Sequence, residues 1–136
     1  MAKVVLGNHT AVFAARSDQK RIRSFYREAL GCEVRVSTDD IDRFRLDDTH
    51  FCFVYQDTGL SKDDFIKSIY LELKTTDVAE TKRRILDFGV RQLEVPDSHL
   101  YFQAPGGQVF RLVGVDEDLS IYEGSESTIP ETKARP

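Results

Sequence analysis

Few side chains in this sequence are equipped for chemistry, and their spacing sorts them onto a small number of faces. In the run 50–56, Phe51, Phe53 and Tyr55 alternate with His50, Cys52 and Val54. Strand side chains alternate between faces, so the second set is turned away from an aromatic core. His9 and Ala11 stand two apart and share one face of an earlier strand. Arg43 and Arg45 alternate with Phe44 and Leu46 and also share a face, which reads first as solvated edge-strand charge. In 68–74, Tyr70, Glu72 and Lys74 alternate with Ile69, Leu71 and Leu73, the pattern of a half-buried strand. His and Cys can ligate zinc and other soft divalent metals. His9 could serve as a general base, although the sequence shows no carboxylate placed to orient it. Cys52 would need a depressed pKa to act as a nucleophile, and otherwise packs as a small hydrophobe. Arg111 can grip an anion with a two-pronged fork, or it can pair with a carboxylate, for which Glu72 is the natural candidate. His50 and His99 fall near turns and are expected to face solvent.

These residues need elements to hold them. The segment 4–14 is rich in β-branched and apolar residues and predicts a strand. Ser17 or Asp18 suits a helix N-cap. Ile22, Phe25, Tyr26, Ala29 and Leu30 then follow helical spacing, and Gly31 is placed to end the helix. Short strands follow over 32–37, 41–46 and 50–56, and 57–67 predicts a polar link. The second half repeats the order. A strand over 68–74 leads to a helix capped by Asp77, with Glu80 completing a capping box and Val78, Ile85 and Phe88 on its apolar stripe. Gly89 ends that helix, and strands follow over 91–94, 100–103 and 108–113. Phe25, Tyr26, Leu30, Ile85 and Phe88 are the expected helix–sheet core. Apolar content then collapses, so 115–136 predicts a mobile acidic and polar tail.

The whole chain has 136 residues, enough for one domain or two small fused modules. Its net charge of -4 argues against non-specific nucleic-acid binding, which needs a basic footprint. No apolar run approaches the roughly 20 residues that span a bilayer. Two cysteines, Cys32 and Cys52, make no disulfide framework, so reduced thiols and a cytoplasmic location are expected.

The stretch 104–113, Ala-Pro-Gly-Gly-Gln-Val-Phe-Arg-Leu-Val, closely resembles the closing motif of the glyoxalase/bleomycin-resistance/extradiol-dioxygenase superfamily, the vicinal-oxygen-chelate proteins. There the pattern is Asp-Pro-x-Gly-Asn-x-x-Glu-Leu, and its Glu binds metal. Pro105, Gly107, Gln108 and Leu112 keep the pattern, but Arg111 occupies the Glu slot. Phe25-Tyr26-x-x-x-Leu30-Gly31 and the duplicated strand-helix-strand-strand-strand order are similar to the same superfamily over about 4–114, and the wording of 70–75 and 101–112 to a bacterial branch of it. The resemblance implies an α+β fold in one domain, 1–114, made of two βαβββ modules (about 4–56 and 68–114). These form curved mixed sheets around a cleft with four metal-ligand slots. The slots fall on His9 or Ala11, with His9 favoured, on Cys52, on Tyr70 and on Arg111.

Arginine cannot ligate, because it stays protonated. A guanidinium about 4 Å from a divalent cation costs about 8 kcal/mol at an effective dielectric of 20. No cofactor is therefore expected. The favoured reading is a small-molecule-binding protein with a degenerate metal site, whose cleft suits an anionic or carbonyl-bearing organic ligand held by His9, Cys52, Tyr70, Glu72 and Arg111. The alternative is a divalent-metal-dependent lyase, isomerase or dioxygenase of the glyoxalase type, and a vestigial interaction module is a third. Superfamily resemblance and the open edges of half-barrels lead to the expectation of a homodimer, with no nucleic-acid or membrane partner.

Overall fold

A computed structural model describes residues 2, 3 and 5–120. The chain forms β1 (His9–Ala15), α1 (Gln19–Ser24), β2 (Glu33–Ser37), β3 (Ile41–Leu46), β4 (Thr49–Gln56), α2 (Lys62–Ile66), β5 (Tyr70–Thr75), α3 (Val78–Phe88), β6 (Arg91–Leu93), β7 (Leu100–Gln103) and β8 (Val109–Gly114). Two four-stranded mixed sheets result, ordered β1-β4-β3-β2 and β5-β8-β7-β6. In each, the first strand runs parallel to the last and the other pairs are antiparallel. The identical order confirms the duplicated βαβββ unit. No described helix is long and apolar enough to cross a membrane.

Both sheets turn one face onto a shared core. Phe25 and Tyr26 are fully buried, on a wide helical turn over Phe25–Ala29 that extends α1. The Leu30 amide reaches back five residues to the Phe25 carbonyl, and Gly31 then turns the chain with φ 74°. Tyr26 packs on Phe44, Phe51 and Phe53 of the first sheet and on Phe110 of the second. Phe51 and Phe110 also touch directly, with ring centroids 6.3 Å apart. Ile85 is buried as expected, with Leu30 and Phe88 packed at the margin of the same core.

Several local expectations need correction. The first strand begins at His9, because only from there does it have β4 beside it; Val4 lies outside the described residues. Asp18 makes no side-chain cap and instead pairs with Lys62. Asp77 does cap α3, accepting from the Glu80 amide at 3.0 Å. The capping box is not reciprocal, since the Asp77 amide donates to Thr75 Oγ1. Val78 is 42 % exposed, and Thr81 takes the buried place on that stripe. The polar link holds α2, a single turn capped by Ser61 that buries Phe65; one turn is too short to show a period. Beyond β8, residues 115–120 are tied down in part, with the Val115 amide donating to Thr75. Residues 121–136 lie outside the described residues.

Candidate functional site

Because both core faces meet at Tyr26 and Phe110, the second face of each sheet points away from the other sheet. On the first sheet, parallel β1–β4 register sets His9 beside His50, Ala11 beside Cys52 and Phe13 beside Val54. Antiparallel β3 adds Arg45 beside His50, Arg43 beside Cys52 and Ile41 beside Val54. The predicted alternation therefore holds: Phe51, Phe53 and Tyr55 are buried, while His50, Cys52 and Val54 share the other face with His9, Ala11, Arg43 and Arg45. The His9 and His50 rings stack, with centroids 4.5 Å apart and planes within 8°. Burial lowers the His50 pKa, and His9, Arg45, Arg35 and Arg43 lower it further, so the imidazole is neutral near pH 7. An Arg43 Nη2 hydrogen approaches Cys52 Sγ, at 3.9 Å between heavy atoms. Cys32 lies in the core, and burial pushes its thiol up to about 12. That leaves Cys52 as the reachable sulfur.

On the second sheet, register sets Glu72 and Tyr101 on either side of Arg111. Arg111 is only 7 % exposed. Its Nη2 donates to Glu72 Oε2 at 2.5 Å, and its Nη1 stands 3.8 Å from Asp97 Oδ2. The guanidinium lies 5.6 Å from the centre of the Tyr70 ring, which is itself 48 % exposed. Burial opposes the Arg111 charge, but Glu72, Tyr101 and Tyr70 outweigh it and raise its pKa further. Arg111 is a permanent cation here. The ion pair with Glu72 is thus present, and Tyr70 joins it.

His99 is not solvent-facing as expected. Its side chain is 14 % exposed, with Nδ1 2.7 Å from Asp97 Oδ1 and Nε2 in contact with Glu117 Oε1. Glu117 and Asp97 together raise the His99 pKa against the effect of burial. Asp97 also accepts from the Tyr101 hydroxyl at 2.8 Å. The His99 amide and ring, with that hydroxyl, hold the Asp97 carboxyl down to about 2. A chain of charge thus runs from Glu72 through Arg111 and Asp97 to His99 and Glu117. Asp97 and Glu117 were not anticipated. Tyr101 could have been found, because it sits on the same strand face as Gln103 and in register with Arg111.

The five candidates fall into two groups. Glu72, Arg111 and Tyr70 are together; His9 and Cys52 lie on the other sheet, with Ala11 sharing their face. No described hydrogen bond or ring contact joins the groups. Among the described residues no three His, Cys, Asp or Glu side chains converge as a metal-holding set. A hollow of about 540 Å³ lies elsewhere, between the open edge of β5 and the β3–β4 turn. Of the five candidates it touches only Glu72.

The sequence matches the glyoxalase-like domain family over residues 11–113. No curated protein matches it. Solved structures similar to it include a genomically encoded fosfomycin resistance protein, FosX, from Listeria monocytogenes, complexed with Mn(II) and 1S,2S-dihydroxypropylphosphonic acid. The two share 16% identity at a TM-score of 0.65, covering 81% of this chain and 90% of that one. A lactoylglutathione lyase from Agrobacterium tumefaciens is 15% identical, with a TM-score of 0.58 and coverage of 84% and 96%. A glyoxalase-related enzyme from Fulvimarina pelagi is 12% identical, with a TM-score of 0.64 and coverage of 82% and 88%. Identities this low establish the shared fold alone.

Proposed function

The chain belongs to the glyoxalase-like domain family, and from that premise we propose that it binds a small organic molecule, anionic or carbonyl-bearing, without a resident metal. The observation that carries this reading is Arg111. It stands where the superfamily resemblance implies an anionic metal ligand, and it is buried, ion-paired and permanently charged. A divalent ion at that slot would meet a cation rather than a carboxylate. His9 and Cys52 lie on the other sheet from Tyr70, and even when brought opposite it across two protomers they would share the cleft with the Arg111 cation. The residues present do not fit the superfamily's metal, because an arginine fills the slot of its carboxylate ligand. What remains is suited to recognition: the half-exposed Tyr70 beside the ion-paired Arg111, and basic side chains on the first sheet. The free thiols of Cys32 and Cys52 fit a reducing, cytoplasmic setting.

The two candidate groups face apart within one chain. A single cleft lined by His9, Cys52, Tyr70, Glu72 and Arg111 therefore requires the first module of one protomer to oppose the second module of another. We accordingly take the working unit to be a homodimer.

Ligand-induced melting shifts test the function directly. Binding only the native state raises the melting temperature with ligand concentration. Small carboxylates and aryl ketones at millimolar concentration are expected to raise it, and amines of the same size are not. A panel in which neither class has any effect would refute the reading.

A further inference from the structure

The second face of the first sheet is organised in three rows across the strands. His9, His50 and Arg45 form one; Ala11, Cys52 and Arg43 form the next; Phe13, Val54 and Ile41 form the third. Successive rows stand about 7 Å apart, two residues along a strand. The face therefore grades from basic to apolar over a short distance, with the smallest side chain in the middle of β1. Phe13 is 60 % exposed, a large aromatic surface left to solvent.

Charge on this face is unbalanced. Arg43 and Arg45 lie on β3 beside the neutral His50, and Arg35 on β2 is already paired with Glu33 at 3.1 Å. Arg45 Nε donates to the Asp47 carbonyl, which brings no charge. Arg43 has only the sulfur of Cys52 as a described acceptor, and its Nε and the Nδ1 of His50 are buried without any hydrogen-bond partner. Buried polar groups normally find partners, and the Arg43 Nε–H can only donate, so the face is short of at least one acceptor.

We propose that this face is a subsite for a planar aryl carboxylate, its carboxylate held at Arg43, Arg45 and His50 and its ring laid on Phe13, Val54 and Ile41. Charge complementarity selects the anion, since guanidinium groups grip carboxylates through paired N–H donors. The flat surface of Phe13 selects a planar body. Ala11 leaves room for the molecule to approach the sheet. The assignment rests on the small-molecule reading above and moves its anion-recognising end from Arg111, which Glu72 already neutralises, to the first sheet.

Phenylacetate is the probe, titrated into the isotopically labelled full chain and followed by backbone amide NMR. Acetate supplies the charge without the ring, benzyl alcohol the ring without the charge, and acetophenone a neutral carbonyl. The expected result is saturable shifts confined to residues 9–13, 41–45 and 50–54, with acetate and benzyl alcohol weaker by about tenfold or more. Arg43→Gln should weaken phenylacetate by about tenfold, and Phe13→Ser by severalfold, both with unchanged melting temperature. Shifts centred on Tyr70, Glu72 and Arg111 that survive Arg43→Gln would overturn this assignment and leave the small-molecule reading standing. Because the proposed homodimer sets a second copy across this face, the titration is run at one fixed protein concentration, and the absence of a saturable phenylacetate shift at 9–13, 41–45 and 50–54 under that condition would also overturn it. If neither phenylacetate nor acetophenone shifts any residue, this assignment and the reading beneath it both fall.

Discussion

Asp42 illustrates what a single charged residue does in this fold. It is completely buried among aromatic side chains, yet it accepts hydrogen bonds from Arg23 Nε, Ser37 Oγ and the Tyr55 hydroxyl at 2.7 to 3.2 Å. Removing one partner of such a set leaves the others buried and unsatisfied. Asp42→Ala should cost about 3 to 5 kcal/mol in chemical denaturation, and a loss below about 1 kcal/mol would show that water replaces the carboxylate. His99 makes a second residue-scale case, with a sign that can be worked out. Its folded pKa is raised, so its stabilisation is fully present below the ordinary histidine value and is lost as pH rises through the raised one. Asp97 is the reverse: its contribution is present above the usual 3.8 and is lost as pH falls toward about 2. The melting temperature should therefore fall on both sides of a mildly acidic optimum. In His99→Gln the alkaline fall should be reduced, and an unchanged pH profile would remove His99 from the account.

At the scale of elements, the turn between β7 and β8 explains why its sequence was so legible. Gly106 and Gly107 have φ of 92° and 116°, where other residues are strained. A Cβ on Gly107 would also stand 2.6 Å from the Phe65 ring, and one on Gly106 2.7 Å from Ile22. Gly107→Ala should lose at least about 2 kcal/mol, from backbone strain and overpacking together. Cooperative unfolding at the wild-type midpoint would contradict that. Strand periodicity was legible for the same kind of reason: Phe51, Phe53 and Tyr55 have only one face on which to be buried. The partnership of Glu72 and Arg111 was readable as charge chemistry, and parallel register then placed the pair side by side. What escaped was short or non-local. α2 is one turn with a single buried anchor, Phe65. Asp97, His99 and Glu117 meet only because the 94–99 loop folds over β8, and no period encodes that. The back-to-back placement of the two sheets depends on Tyr26 reaching both, a tertiary fact absent from either module's pattern.

At the scale of the whole molecule, the proposed binding role sets a glyoxalase-like fold to work without the superfamily's metal. The proposed homodimer would bring the opposed faces together, and sedimentation at micromolar concentration should then show a two-chain species; monomer alone would leave the two candidate groups unable to line one cleft. The proposed absence of a resident metal turns on one slot, Arg111. Calorimetric titration of wild type and Arg111→Glu with zinc, manganese and nickel tests it most directly. Wild type should give no stoichiometric heat with any of the three. Arg111→Glu should acquire divalent-metal binding that depends on His9, since a carboxylate would then replace the cation. Tight stoichiometric binding to wild type, lost on His9→Ala, would contradict the account and return the protein to metal-dependent chemistry.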